Sequence, residues 1–322
     1  MSGGSRGLYL IISGISLILL VLMVFYFIAG GLDKVFSLVA SNPLAIVVAS
    51  SLIALEEALK STRFVIAARA LNRNLGRKSA IKVHFASLAV GIITPAFSGA
   101  LPTQAAMLGD TLRVGPSEAM AIAMSVTFFD SVFPALLTAT ASIVMMPYSL
   151  PLLLIAVGIL FVWALILGAP LADKVGAWVS RAVGSQGLRE FIEAESRDLR
   201  PHVMRVLGSL RAFAAMLVIS VSSYMIECLS VFTFTRGSPL TFLRDFLGLL
   251  MSYVGGNLPT PGGVGGVEYS LLLLLPRGTV VLWRISYLLV GAASLSLFVD
   301  VIRHYVDYAR QLRRRAQQAS YG

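Results

Sequence analysis

Apolar runs of about twenty residues recur along the chain, separated by short basic stretches. A helix needs about 20 apolar residues to cross a hydrocarbon core. Residues 8–29 meet that length, at roughly 33 Å. Pro43–Ala70 is a second run, but its second half carries Glu56, Glu57, Lys60 and Arg63. Their spacing suits i,i+3 and i,i+4 pairing on one helix face, so this half is expected to leave the hydrocarbon early or to face a polar interior. Residues 119–146, 150–171, 213–234 and 280–301 bring the expected spans to six, with Pro147 turning the third into the fourth.

Two stretches interrupt this pattern. Thr94-Pro95-Ala96-Phe97-Ser98-Gly99-Ala100-Leu101-Pro102 lies between apolar pieces 87–93 and 103–108, each too short to span. Asn257-Leu258-Pro259-Thr260-Pro261-Gly262-Gly263-Val264-Gly265-Gly266-Val267-Glu268 lies between 242–254 and 269–275. The order span, span, broken segment, span thus occurs twice. Thr94-Pro95 answers Thr260-Pro261, and Gly99 answers Gly265 at the same offset. Each unit has an odd number of crossings, so the second is inserted upside down. The expected fold is an all-α polytopic membrane protein of two inverted repeats, each with three full spans and a re-entrant broken helix pair. Backbone without helical hydrogen bonds is costly against lipid, so the two breaks imply protein cover or a wet cavity. Interrupted helices in inverted repeats are a transporter design with the substrate near the midplane.

Charge sets the orientation. The net charge is +10, but the basic residues sit in the segment 69–82, in the stretch 172–211 and in the tail, which points to topology and anionic lipid rather than nucleic acid. These segments and both termini are expected in the cytoplasm. The expected division is a first membrane repeat over 1–171, a cytoplasmic amphipathic connector over 172–211, a second repeat over 212–305 and a basic tail over 306–322. With 57% hydrophobic and 13% charged residues and a mean hydropathy of +0.83, the chain is far more apolar than soluble domains, which carry about 25% charged residues. The single cysteine, Cys228, excludes an internal disulfide and a cysteine-based metal site. No nucleophile triad or His/Cys cluster is present, so neither an enzyme, a metal nor a cofactor is expected.

The candidate chemistry lies at the breaks. The glycines allow conformations that a side chain forbids, and free N–H groups before a helix start suit an anion. Neither a P-loop nor a dinucleotide fingerprint is completed here. Glu268 opens a half-helix, where a carboxylate can carry a proton, pair with Arg284 or cap the helix. Arg284 can grip a phosphate with two prongs or snorkel to the interface. Asp130, inside an apolar run, needs an arginine or a wet cavity to be tolerable. His84 near the first break reads as an ordinary satisfied histidine, with a tether or proton carrier as the sharper reading.

Pro259 to Glu268, with Leu282-Trp283-Arg284 after it, resembles the signature of the lysylphosphatidylglycerol synthase transmembrane-region family, whose members are flippase-like membrane proteins. Ile93-Thr94-Pro95-Ala96-Phe97-Ser98-Gly99-Ala100 and Asp130 fall where that family has its first broken motif and an acidic residue. The resemblance covers roughly residues 41 to 303. It implies a two-repeat fold with re-entrant helices and lipid translocation. Some members carry a fused synthase or glycosyltransferase; neither is found in these residues, so synthase activity is not expected. Relatives carry a glutamate and an arginine where this chain has Leu101 and Gln104. Gln104 can hydrogen-bond a head group but cannot neutralise a phosphate.

The expected function is a flippase for an anionic phospholipid or a polyprenyl-phosphate-linked lipid, in a prokaryotic plasma membrane. Thr94, Pro95, Gly99, Gln104, Asn257, Thr260, Pro261, Gly262, Gly263, Gly265, Gly266 and Arg284 would form its substrate site, with Glu268 and Asp130 balancing charge or moving protons. The alternatives are a carrier of a small anionic solute and a non-transporting accessory subunit of a lipid-modifying enzyme. Membrane lipids are the expected partners, and a second copy of the chain or a lipid-modifying enzyme is left open.

Overall fold

The computed structural model describes residues 21–168 and 186–319, so the start of the first expected span, the last three residues of the fourth and residues 172–185 of the connector lie outside the described residues. All regular elements among the described residues are helices. In chain order they are α1 (Val21–Ala29), α2 (Leu32–Ser41), α3 (Pro43–Ala70), α4 (Arg77–Ile93), α5 (Ala100–Leu112), α6 (Pro116–Val144), α7 (Leu150–Gly168), α8 (Gln186–Leu207), α9 (Leu210–Thr235), α10 (Pro239–Gly255), α11 (Gly266–Leu272), α12 (Arg277–Ser294) and α13 (Phe298–Ala319).

Local chemistry explains the boundaries. Proline stands at the first turn of α3, α6 and α10, where its missing N–H is not needed. A capping box of Ser238 and Thr241 starts α10. Ser209 caps α9 by accepting from the Ala212 N–H. Arg113 and Arg236 take left-handed conformations that close α5 and α9.

Four helical stretches are long and apolar enough to cross a membrane: α6, α7, α9 and Arg277–Leu297, which is α12 with the 3-10 turn Leu295–Leu297 after it. Counting α1 and α2 as one span bent by 87° makes five. The second expected span, α3, has the length at 28 residues but too many charges to pass on composition. The last expected span, 280–301, is broken at Leu295–Leu297, and an amphipathic helix continues from there.

Large apolar side chains remain exposed on these helices, including Leu44, Val144, Leu154, Phe161 and Val218. A belt of this kind is what lipid contact requires. Only 17% of the apolar window of α7 is buried, which makes it the most lipid-facing of the candidate spans.

Inside, Phe64, Phe129, Trp163 and Met216 belong to one cluster, and Phe25, Ile53, Leu249 and Trp283 to a second. The helix α3 runs along α9 at the centre. The connector helix α8 packs against α6, where the Glu195 carboxylate accepts from the Ser117 N–H at 2.7 Å. The helix α13 seats Tyr308 on Gly109 of α5, with Asp110 taking His304 at 2.5 Å and Gln311 at 2.6 Å. Outside the spans, the hydrogen bond and charge of Lys82 hold the Asp300 carboxyl below its ordinary range.

Candidate functional site

The helix α4 ends at Ile93 because Pro95 forces the preceding Thr94 into an extended conformation. The Thr94 hydroxyl donates to the Val90 and Gly91 carbonyls and accepts from the Gly99 N–H at 2.9 Å, folding the turn back on the helix end. Between them Ala96 and Phe97 both have positive φ, at 50° and 54°. Such conformations cost energy for residues with a Cβ and persist only where the surroundings impose them.

What imposes them is the second break. The Ala96 N–H donates to the Thr260 carbonyl at 3.1 Å, and the Gly262 N–H to the Thr94 carbonyl at 3.4 Å. Pro95 and Pro261 face each other as an antiparallel bridge, the one isolated bridge among the described residues. Proline suits both positions, because the ladder takes its donors from the residues that follow. The two Thr-Pro dipeptides matched in the sequence therefore lie side by side. Gly262, at φ 58°, lies where a Cβ would come within 2.9 Å of the Ile92 carbonyl.

The seam has a buried side and an exposed side. Gly262, Gly263, Gly266 and Glu268 are buried, whereas Pro95, Asn257 and Gly265 are exposed. Asn257 closes α10 by donating to the Tyr253 carbonyl at 2.9 Å, and the Thr260 hydroxyl donates to the Val264 carbonyl at 2.7 Å.

The N–H groups expected to be free for an anion are partly taken by the chain itself. One oxygen of Glu268 accepts from the Gly265 N–H at 2.6 Å and the other from Arg284 Nε at 2.8 Å. Arg284 also donates to the Gly262 carbonyl at 2.5 Å and lies over the Tyr287 ring, 5.5 Å from its centroid. It is buried, so it does not snorkel.

Two other expected residues lie elsewhere. Asp130 receives both prongs of Arg63, each at 2.9 Å, and Arg63 also reaches Ser220 at 3.0 Å. Gln104 donates to the Ser87 hydroxyl at 3.1 Å, turned towards α4, and its carbonyl oxygen is buried without a partner among the described residues.

A further polar centre surrounds the charges of α3 that the sequence placed towards a polar interior, and it takes in Glu227 and Tyr253, which the sequence did not single out. Lys60 Nζ touches Glu56, reaches the Tyr253 hydroxyl at 2.5 Å, and lies 3.9 Å from Glu57 and 4.0 Å from Glu227. Tyr253 donates to Glu227 at 2.5 Å, and His84 Nε2 meets Glu57 at 2.5 Å. The signals were present: four charges in an otherwise apolar helix, and a lone glutamate, Glu227, within the expected fifth span. What the sequence could not supply is that α3, α4, α9 and α10 bring them together.

An open groove of about 550 Å³ lies beside α3 and α12. Apolar side chains such as Val47, Phe85 and Leu289 line it, with Ser50 and Ser51 among them.

No curated protein and no solved structure matches the chain. The sequence pattern of the lysylphosphatidylglycerol synthase TM region matches residues 11–280, a range that starts earlier than the resemblance read from the motifs and ends just before Arg284. This match takes in most of the chain and both breaks, and with the apolar helices it makes the protein an integral membrane protein that belongs to the lysylphosphatidylglycerol synthase TM-region family.

Proposed function

We propose that the protein is a lipid translocase, moving an anionic phospholipid or a polyprenyl-phosphate-linked lipid across a prokaryotic plasma membrane. The observation that carries this reading is the pairing of the two Pro- and Gly-rich breaks, Pro95 against Pro261, inside an all-helical membrane protein. In this reading α3 is a full crossing, the two halves are inverted repeats, and each break is the tip of a re-entrant helix pair. Both termini face the cytoplasm with the basic segments. The head group passes along the seam while the acyl or prenyl chain stays in the bilayer. The apolar groove beside α3 and α12 favours a lipid over a small solute, because a soluble anion gains nothing from such a lining.

Arg284 is the phosphate-binding group of this reading. It is already matched to an anion, so a phosphate takes the place of Glu268 on its guanidinium rather than filling an empty site. One anion replaces another, and the buried arginine is never left without a counter-charge. Transport rather than covalent chemistry is the activity expected.

A reversible lock tests the route. Residues facing each other in an antiparallel bridge have Cα atoms about 4.5–5.5 Å apart, within the range a disulfide spans. Pro95→Cys with Pro261→Cys, in a Cys228→Ser background, is reconstituted in liposomes with labelled phosphatidylglycerol or a labelled polyprenyl phosphate. Oxidation is expected to stop transbilayer movement and reductant to restore it. Equal rates in the oxidised and reduced protein would exclude the seam as the route. No movement of either lipid by the folded, unlocked protein would favour the accessory-subunit reading.

A further inference from the structure

The polar centre around Lys60 holds more negative charge than its cations neutralise. From α3 come Glu56, Glu57, Lys60 and Arg63, buried to within 4% of full coverage. The helix α4 adds His84, α6 Asp130, α9 Tyr224 and Glu227, and α10 Tyr253. Tyr287 and Arg284 on α12, and the Cys228 thiol beside Glu227, also lie within electrostatic reach. Arg63 and Asp130 cancel each other through their two-pronged pair, as do Arg284 and Glu268. That leaves Glu56, Glu57 and Glu227 around the one ammonium of Lys60, with His84 on Glu57. If all three carboxylates are ionised, one negative charge remains in excess even when His84 is protonated. An uncompensated charge in such a place is very costly, and a carboxylate relieves the cost by taking a proton.

The hydrogen bonding shows where the centre is incomplete. One oxygen of Glu56 touches Lys60, the other has no partner among the described residues, and the side chain is fully buried. His84 Nδ1 is likewise buried without a partner among the described residues. A metal ion does not fit this space, because the Lys60 ammonium already stands among the three carboxylates. Among the described residues there is also no group of three His, Cys, Asp or Glu side chains placed to hold one.

We propose that Glu56, Glu57, Lys60, His84, Glu227 and Tyr253 form a proton-binding site that keeps one exchangeable proton inside the helix bundle and couples it to lipid movement. The coupling rests on the translocation reading; the proton site does not. The site is tied to both breaks. Tyr253 lies in the last turn of α10, and its carbonyl receives Asn257 at the start of the second break. His84 lies on α4, which leads into Thr94 of the first, and the His84 carbonyl receives the Ser87 hydroxyl that Gln104 also binds. Ala54 and Phe85 line the lateral groove within one helical turn of Glu57 and His84. Adding or removing the proton changes how strongly Lys60 draws α3, α9 and α10 together, and these elements carry or flank the seam.

Infrared spectroscopy of the full chain in lipid nanodiscs reads the proton without reference to transport. At neutral pH the wild type is expected to show a protonated-carboxyl C=O band that shifts in D₂O. Glu56→Gln or Glu227→Gln should remove it, and Asp33→Asn, at an exposed position, should leave it. No such band, or a band that survives Glu56→Gln, Glu57→Gln and Glu227→Gln, would overturn the site. Transbilayer movement of labelled phosphatidylglycerol then reads the coupling. Its rate should change by about tenfold per pH unit on the steep limb of a one-proton titration, and the glutamine variants should flatten that dependence. A band with a flat wild-type rate would overturn the coupling. A titrating band with no lipid movement would leave the proton site standing and overturn the translocation reading instead.

Discussion

Glu268 and Arg284 are each only 1% exposed, so neither can pass its charge to water when the other is removed. Breaking a buried pair by removing one partner costs about 3–5 kcal/mol, much of it the penalty of the charge left behind. Glu268→Ala is therefore expected to lower stability by about that much, and Glu268→Ala with Arg284→Met by clearly less than the sum of the single changes. Unfolding midpoints in detergent micelles, arranged as a double-mutant cycle, measure the difference. Additive losses would mean that the 2.8 Å contact does not couple the two side chains. This pair was legible in the sequence, because a carboxylate and an arginine in apolar surroundings each demand a partner and the two were close in the chain. Asp130 announced its need for an arginine in the same way, but not that Arg63, on a helix 67 positions earlier, would meet it. Glu227 and Tyr253 were less legible still. A lone acid in an apolar span says that something must compensate it, not which helix brings the compensation.

The helix ends were legible where a residue forbids continuation. The expected bounds of α3 are those observed, since Pro43 starts it and Asn72, at φ 61°, lies beyond its end. The break between α12 and α13 was not, because Leu295-Ser296-Leu297 contains neither proline nor glycine. The helix α4 begins at Arg77, ahead of the apolar piece 87–93, so Arg77, Lys78 and Lys82 of the basic segment sit on its first two turns. At the second break the glycines divide into two kinds, and substitution separates them. Gly263 and Gly265 both have positive φ, a conformation costly for any residue with a Cβ. A Cβ on Gly263 would also come within 2.6 Å of Gly256 Cα, whereas one on Gly265 meets nothing within 4 Å. Overpacking of this kind adds about 1–3 kcal/mol. Gly263→Ala should thus lower the thermal midpoint clearly more than Gly265→Ala. Equal shifts would show that the close approach of α10 to the break relaxes without cost.

At the scale of the molecule, α3 and the two breaks decide the topology. Composition alone yields four or five crossings, yet the charges that disqualify α3 are buried while its Leu44, Val47 and Leu55 are exposed. A helix with apolar residues outside and charges inside belongs in a membrane-embedded bundle. With α3 as a crossing, and with α4–α5 and α10–α11 each entering and leaving by the same face, the chain divides into two groups of exposed positions. Lys78, Thr111 and Arg310 should lie on one face, the basic and cytoplasmic one. Ser41, Tyr148, Ser238 and Arg277 should lie on the other. All seven are exposed. Cys228 is the only natural cysteine and is buried, so single cysteines at these positions in a Cys228→Ser background can be labelled with a membrane-impermeant maleimide from one side at a time. Ser41 labelling from the same side as Lys78 would mean that α3 does not cross. Thr111 labelling from the side opposite Lys78 would make α4–α5 a full crossing, and the inverted repeat would fall with it. The same outcome would remove the premise of the seam as a route, because two breaks that enter from opposite faces are what allows each side of the membrane to reach their meeting point in turn.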